Sequence, residues 1–389
     1  MLLVGIKKAA LYIKDTKIAV AFVSSNSICQ GQQVAPLWNS LYKENIHIDF
    51  AYRPFQWDSD ANSIAHVYCV IIGFSAYDNQ RKRYIFNDKT GLLATNINAY
   101  LTDAPDIIIK QRTLPICDVP CVTKGFQPTD HGYLLMNDAE KEEMIRSDAE
   151  TEGWIKQFIT AKEYIHGKKR WCLWLVGISP NQLNKMKAIK SRVVSCQKWR
   201  TSQKVTGDAY KYKDIPHLMR PNRQFKEGTF IVLPLHSGES REYIPFGFAD
   251  SSCIPGNSVS IVPDANLNLF GVLTSNVHMA WMRIVAGRLE MRYRYSSEIV
   301  YNNFPWCNPN PGQKAKIEQT AQAILDARAL YPDSSLAELY GKSTMPSELR
   351  KAHQENDRAV MKAYGFSLKM TESEIVAELM KMYQQLTGE

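Results

Sequence analysis

Three apolar runs of strand length lie close together in the first 75 residues, and this part of the chain must fold around them. They are residues 17–23, 46–52 and 65–75. The first run is continuously apolar, which is typical of a buried parallel strand, and the second alternates apolar and polar residues. An amphipathic helix is predicted between them over residues 32–44. The order of strand, helix, strand and strand predicts an α/β sheet.

A complete doubly wound sheet has about five strands or more, whereas only three are visible here. We therefore expect the C-terminal part of such a sheet. Short strands and helices are mixed further along the chain, and the Pro-rich stretch 304–312 precedes a helical end. Thr371 and Glu374 have the spacing of a capping box before the last helix. The predicted fold class is α/β with mixed α+β regions.

Positive charge is concentrated in one segment of the chain. The net charge is +8, but residues 151–230 alone contain 17 lysines and arginines against 5 acidic residues. The remaining chain is slightly negative. A concentrated basic segment fits a polyanionic partner, although an ordinary solvated basic face explains the same count.

Motifs for other functions are absent from the sequence. It contains no GxSxG, HExxH, GxxxxGK[ST] or GxGxxG. Cys117 and Cys121 are the only close cysteine pair, so neither a metal site nor a disulfide framework is expected. His278 lies among apolar residues and is interpreted as a core histidine. No apolar stretch reaches the roughly 20 residues that span a bilayer, and the first residues are unlike a signal peptide. We therefore expect no membrane association and a cytoplasmic protein.

The stretch 287–296 suggests how a nucleic acid could be read. In a single strand, Glu290, Arg292 and Arg294 would share one face, and Tyr293 and Tyr295 would face the protein. Arginine bonds guanine O6 and N7, and glutamate accepts from cytosine N4. A same-face salt bridge without any partner is the alternative.

Several segments, in order along nearly the whole chain, resemble the C-terminal half of the type IIL, MmeI-like restriction–methyltransferases. They include AFVSSNSI, IDFAYR, HVYCVIIGF, RWCLWL, HMAW, YRYS, VYNNFPW and LRKAH. These enzymes are adenine-N6 DNA methyltransferases of restriction-modification systems. The resemblance implies three parts, which are residues 1–80 from the methyltransferase sheet, 81–311 as target recognition domain and 312–389 as C-terminal helical domain.

The resemblance also implies site residues. Glu290 and Arg292 match a base-reading pair in the family, and Arg294 belongs to the same surface. The basic segment, including Lys168, Lys169 and Arg170, is expected to contact DNA phosphates.

Two family motifs are missing from the sequence. The S-adenosylmethionine motif DPxxGxG and the catalytic Asn-Pro-Pro-Phe/Tyr are absent, and residues 308–311 are interpreted as a linker. We therefore expect this chain alone to be inactive and to bind no cofactor, while the complete enzyme uses S-adenosylmethionine. Phe55 or Trp57 is expected to contact the flipped adenine, with ordinary loop packing as the alternative.

The predicted function is sequence-specific duplex DNA recognition within an adenine-N6 methyltransferase. The expected partners are duplex DNA, the missing N-terminal methyltransferase half and, in some members, a nuclease domain. Two alternatives stay open, namely a scaffold that binds RNA or protein through the basic surface and an independent enzyme with an unrecognised site.

Overall fold

The computed structural model describes residues 2–57, 67–78, 81–87, 90–221, 225, 228–289 and 292–388. The strands are β1 (Ala19–Ser25), β2 (His47–Trp57), β3 (Val67–Ser75), β4 (Arg83–Asn87), β5 (Thr90–Ala94), β6 (Thr123–Lys124), β7 (Leu135–Met136), β8 (Ile155–Ile159), β9 (Trp171–Leu173), β10 (Thr229–Pro234), β11 (His236–Ser237), β12 (Gly247–Asp250), β13 (Cys253–Pro255), β14 (Val259–Pro263), β15 (Gly287–Leu289) and β16 (Arg292–Arg294). The helices are α1 (Leu2–Tyr12), α2 (Val34–Tyr42), α3 (Asp138–Ser147), α4 (Ala161–His166), α5 (Pro180–Lys185), α6 (Lys187–Thr201), α7 (Asp208–Lys211), α8 (Leu267–Leu273), α9 (Asn276–Val285), α10 (Pro311–Ala329), α11 (Leu336–Leu339), α12 (Ser347–Ala363) and α13 (Glu372–Thr387). This mixture confirms the predicted fold class.

The first five strands form one sheet in the order β1-β3-β2-β4-β5. β3 lies between β1 and β2 and runs antiparallel to both, whereas β2 and β4 are parallel. The strands and the helix predicted from the apolar pattern are all present. The short strands β4 and β5 pair antiparallel, and the sequence does not predict them because they lie in a polar stretch.

The prediction of a buried parallel strand at residues 17–23 is wrong. β1 pairs antiparallel with β3 at the end of the sheet. Its first five residues alternate between exposed and half-buried, and Val23 is 48% exposed. An apolar run indicates a strand buried on both faces only where layers cover both faces. Within the described ranges, one face of β1 stays exposed.

The middle of the chain forms smaller sheets in the orders β12-β10-β14-β6, β13-β8-β9-β7 and β11-β16-β15. Phe158 on β8, Leu173 on β9 and Ile189 on α6 belong to a hydrophobic core of their own. This region therefore has a hydrophobic core that is separate from the core of the rest of the chain.

The C-terminal helices pack onto the rest of the molecule. α10 contacts α8 and α12, and α13 contacts α9. Ile6 on α1, Trp281 on α9 and Leu379 on α13 belong to one continuous core, which joins the two ends of the chain.

The capping box predicted for the last helix is confirmed, because Thr371 and Glu374 form it at the start of α13. Gly365 follows α12 with φ at +72°, where glycine is favoured. Pro346 occupies the N-cap position of α12. None of the helices in the described ranges combines the length and the apolar character that crossing a bilayer requires.

Candidate nucleic-acid interface

The hairpin of β15 and β16 presents two arginines to solvent. Arg292 and Arg294 are exposed, whereas Tyr293 between them is only 7% exposed. Tyr295 is also buried, so the prediction that both tyrosines face the protein is confirmed. Glu290, the third predicted base-reading residue, lies outside the described residues.

The prediction of one continuous strand over this stretch is wrong. β15 and β16 pair antiparallel, with Leu289 opposite Arg292. β11 pairs with the other edge of β16 and places His236 opposite Arg294. The pKa of His236 is lowered by burial and by the two neighbouring arginines, so the imidazole adds no positive charge near neutral pH. The positive charge on this face of the hairpin therefore comes from its arginines.

Arg288 joins the hairpin to the N-terminal sheet. Its Nε donates to Gln30 Oε1 at 3.3 Å, and its Nη1 lies 3.4 Å from Glu239 Oε2. Its guanidinium carbon lies 4.1 Å from the ring centroid of Tyr293 and 5.8 Å from that of Tyr68. The side chain is only 14% exposed. Sequence patterns could not reveal this role, because Gln30, Tyr68 and Glu239 lie far from Arg288 along the chain.

A narrow polar cleft lies beside Arg288. It is lined by Asn26, Ser27 and residues 30–33 on one side and by Gly287, Arg288, Arg294, Ser296 and Ile299 on the other. Its volume is about 160 Å³, below the roughly 300–1,000 Å³ of typical sites for small molecules and cofactors.

Phe55 and Trp57 lie at the end of β2, with ring centroids 6.3 Å apart. Gln56 pairs with Tyr68 on β3, and the Tyr68 hydroxyl donates to Glu239 at 3.0 Å. Strand side chains alternate, so Phe55 and Trp57 point to the face opposite Tyr68. The structure brings them to the same end of the sheet as the hairpin, but not against it. Trp57 is 49% exposed.

The predicted phosphate contacts follow α4. Lys168 and Lys169 are exposed, and neither forms an ion pair with a described residue. Arg170 Nη1 lies 3.9 Å from Glu163 Oε1, and a shallow surface cleft beside α4 is lined by Glu140 and Glu163 together with Lys169 and Arg170. Acidic neighbours offset part of the charge of Arg170, whereas neither lysine is paired with a described residue.

A second basic surface lies on α5, α6 and the turn after α6. Its exposed lysines make no ion pair within the described part of the chain. They are Lys185, Lys187, Lys190, Lys198 and Lys204. The charge count of residues 151–230 includes these lysines but does not show which of them are exposed. Two arginines of the basic segment add little to this surface. Arg192 pairs with Glu140 at 2.8 Å, and Arg200 is fully buried.

The strongly shifted acids and bases lie in the core instead of in an open cleft. His278 is fully buried, its Nε2 lies 2.9 Å from the Tyr295 hydroxyl, and burial lowers its pKa to about 3. Burial raises the pKa of Asp357 to about 7. Among the described residues, no group of histidine, cysteine, aspartate and glutamate is arranged to hold a metal ion. This arrangement gives no support to an independent enzyme site.

Comparison with known proteins matches all three parts of the chain. Residues 4–87 match the DNA-methyltransferase domain of MmeI, residues 103–308 its target recognition domain and residues 309–389 its C-terminal domain. DNA methyltransferase A of Bacillus subtilis (strain 168) is 38% identical over 378 residues, which are 97% of this chain and 43% of that protein. The structure of the type IIL restriction-modification enzyme MmeI in complex with DNA is 40% identical, with a TM-score of 0.90 over 100% of this chain and 52% of that one. The chain thus spans about half the length of these relatives or less.

Proposed function

The chain belongs to the MmeI family of type IIL restriction–methyltransferases and corresponds to the C-terminal part of such an enzyme, and we propose that it supplies sequence-specific recognition of duplex DNA for adenine-N6 methylation. The observation that carries this proposal is the hairpin of β15 and β16. Two arginines project from one of its faces while the tyrosine between them anchors the opposite face in the core.

We propose that Glu290, Arg292 and Arg294 read base edges in the major groove. An arginine can bond both O6 and N7 of a guanine, and a glutamate can accept from N4 of the paired cytosine. Each good bidentate contact contributes roughly 1–3 kcal/mol of discrimination. The buried Tyr293 supports this role, because it limits the orientations that Arg292 and Arg294 can take.

Phosphate contacts are proposed for Lys168, Lys169 and Arg170, together with the lysines of α5 and α6. Such contacts neutralise backbone charge and release counterions, so they supply affinity without sequence preference. The free, exposed ammonium groups of Lys168 and Lys169 support this assignment.

We propose a division into a partial methyltransferase domain at residues 1–80, a target recognition domain at 81–311 and a helical domain at 312–389. The separate core of the middle region supports it. An N-terminal methyltransferase half is the proposed partner of the first part. The free edge of β1 and the exposed side chains of Leu11, Tyr12 and Val23 support a covering layer there.

We propose that this chain alone does not bind S-adenosylmethionine. The glycine motif DPxxGxG and the Asn-Pro-Pro-Phe/Tyr sequence are absent from it. In the complete enzyme, we propose that the target adenine leaves the duplex and that Phe55 or Trp57 stacks on it. Methyl transfer by the purified chain alone would contradict this assignment.

Fluorescence anisotropy with duplex DNA at two salt concentrations tests the proposed function. We expect binding that weakens steeply with salt. A binding selection on randomised duplexes then compares the wild type with the exchange Glu290→Arg/Arg292→Glu, which should change the preferred base at one position. An unchanged preference would refute the base-reading assignment, and tighter binding to duplex RNA or single strands would favour the scaffold alternative.

A further inference from the structure

We propose that the loop of residues 26–33, which belongs to the methyltransferase part, is a second DNA contact and binds a phosphodiester of the strand whose bases Arg294 reads. The proposal rests on the proposed function, because it assumes that duplex DNA lies on the hairpin. The loop lies outside the basic segment of residues 151–230, so this is a separate DNA contact.

The loop and the hairpin meet at backbone distance. Gly31 has φ at +66°, and a Cβ atom at this position would lie 2.8 Å from Gly287 Cα. Asn26 Nδ2 and Arg288 Nε both donate to Gln30 Oε1, each at 3.3 Å. The loop is thus held in a fixed position against β15, and its outer residues form one wall of the cleft.

The charge of the cleft favours an anion. Among the described residues that line it, none is acidic. Glu239 offsets the charge of Arg288, but the guanidinium of Arg294 forms no hydrogen bond or ion pair with any described residue. The positive charge of Arg294, which reads a base under the proposed function, also favours a phosphate of the same strand at the cleft.

The wall opposite Arg294 offers neutral hydrogen-bond donors. Ser27, Gln32 and Gln33 are exposed, and the side chains of Gln32 and Gln33 form no hydrogen bond with a described residue. Serine, asparagine and glutamine side chains commonly contact DNA phosphates. The cleft volume of about 160 Å³ suits a single phosphodiester and excludes a cofactor of ordinary size. Arg294 lies both in the cleft and on the cationic face of the hairpin, so a strand on the hairpin passes the loop.

The test adds one positive charge to the loop. Gln32→Lys and Gln33→Lys are compared with Gln319→Lys, which places the same charge at an exposed position of α10 outside the cleft. Anisotropy titrations with one duplex are made at 50 and 200 mM salt. A lysine that gains a phosphate contact makes the slope of log K against log salt concentration steeper by about 0.9. The ratio of the two affinities should then increase about 3.5-fold for either loop variant and stay unchanged for Gln319→Lys.

The reverse substitutions complete the test. Gln32→Glu and Gln33→Glu should weaken binding to all duplexes by a similar factor, without changing the base preference in a selection. If the wild type binds DNA and both loop lysine variants behave like Gln319→Lys, the phosphate site is refuted while the proposed function stands. If the wild type does not bind duplex DNA, both proposals fail together.

Discussion

Arg200 belongs to the basic segment of the chain, yet its side chain is fully buried. Its guanidinium donates five hydrogen bonds to backbone carbonyl oxygens at 2.8–3.1 Å, those of Pro128, Thr129, Tyr212, Ile215 and Leu218. The guanidinium thus ties two loop segments, residues 128–129 and 212–218, to α6. A count of charges along the sequence cannot distinguish such an arginine from one that meets DNA.

We predict that Arg200→Met lowers the free energy of unfolding by at least about 3 kcal/mol, because it leaves several buried carbonyl groups without a donor. Chemical denaturation measures the change. Lys198→Met, two residues away on the exposed side of α6, is the matched control. It should leave stability nearly unchanged and reduce the salt dependence of DNA binding. Equal stability of the two variants would contradict this interpretation of Arg200.

Asp357 is a buried carboxyl group between helices. Its Oδ1 accepts from the backbone N–H of Asn276 at 2.7 Å, and its Oδ2 lies 2.6 Å from the hydroxyl of Tyr243. Burial raises its pKa to about 7, with Glu242 also raising it and Arg283 opposing. The folded pKa is above the unfolded value of about 3.9. The protonated group therefore stabilises the fold at low pH, and this stabilisation is lost as the pH rises towards and through 7.

We predict that Asp357→Asn removes this loss, because the amide stays neutral and keeps an acceptor for Asn276. The variant should gain stability relative to the wild type between pH 5 and pH 8, by no more than about 4 kcal/mol. Denaturation curves at both pH values measure the difference. A constant difference between variant and wild type would show that the carboxyl does not titrate in this range.

At the scale of elements, the hairpin of β15 and β16 depends on Arg288 for its orientation. We predict that Arg288→Ala reduces discrimination between bases while preserving the salt dependence of binding, because Arg288 faces Glu239 and Gln30 and not the solvent. A selection on randomised duplexes and a salt titration measure the two effects. Lys168→Ala is the comparison and should reduce the salt dependence by about one phosphate contact. A loss of salt dependence in Arg288→Ala would instead indicate a direct phosphate contact.

Elements with local signals were predictable, and those that depend on remote partners were not. The capping box of α13 and Gly365 after α12 are encoded within a few residues. The direction of β1 depends on β3, some 50 residues later. Residues 287–294 form the two paired strands β15 and β16, where alternation alone suggested a single strand. Alternation did predict that Arg292 and Arg294 share an exposed face. Arg288 could not be found, because Gln30 lies 258 residues away.

At the scale of the whole molecule, one continuous hydrophobic core joins the C-terminal helices to the beginning of the chain. Composition alone could not predict this connection. Asn98 Nδ2 lies 3.1 Å from Met380 Sδ, and Arg53 Nη2 lies 3.3 Å from Ser373 Oγ. The C-terminal helices therefore rest on the first part of the chain as well as on the recognition region. The ordered sequence segments indicated the three parts, but periodicity along the chain carries no information on which of them share a core.

The backbone contact between Gly31 and Gly287 fixes the distance between the loop of residues 26–33 and β15. A Cβ at Gly31 would lie only 2.8 Å from Gly287 Cα, so the loop of residues 26–33 and the hairpin of β15 and β16 are held at close backbone distance. Under the proposed function, substitutions on the hairpin change which bases are preferred. The number of base pairs between those bases and the methylated adenine stays the same, so new specificities would keep the old spacing.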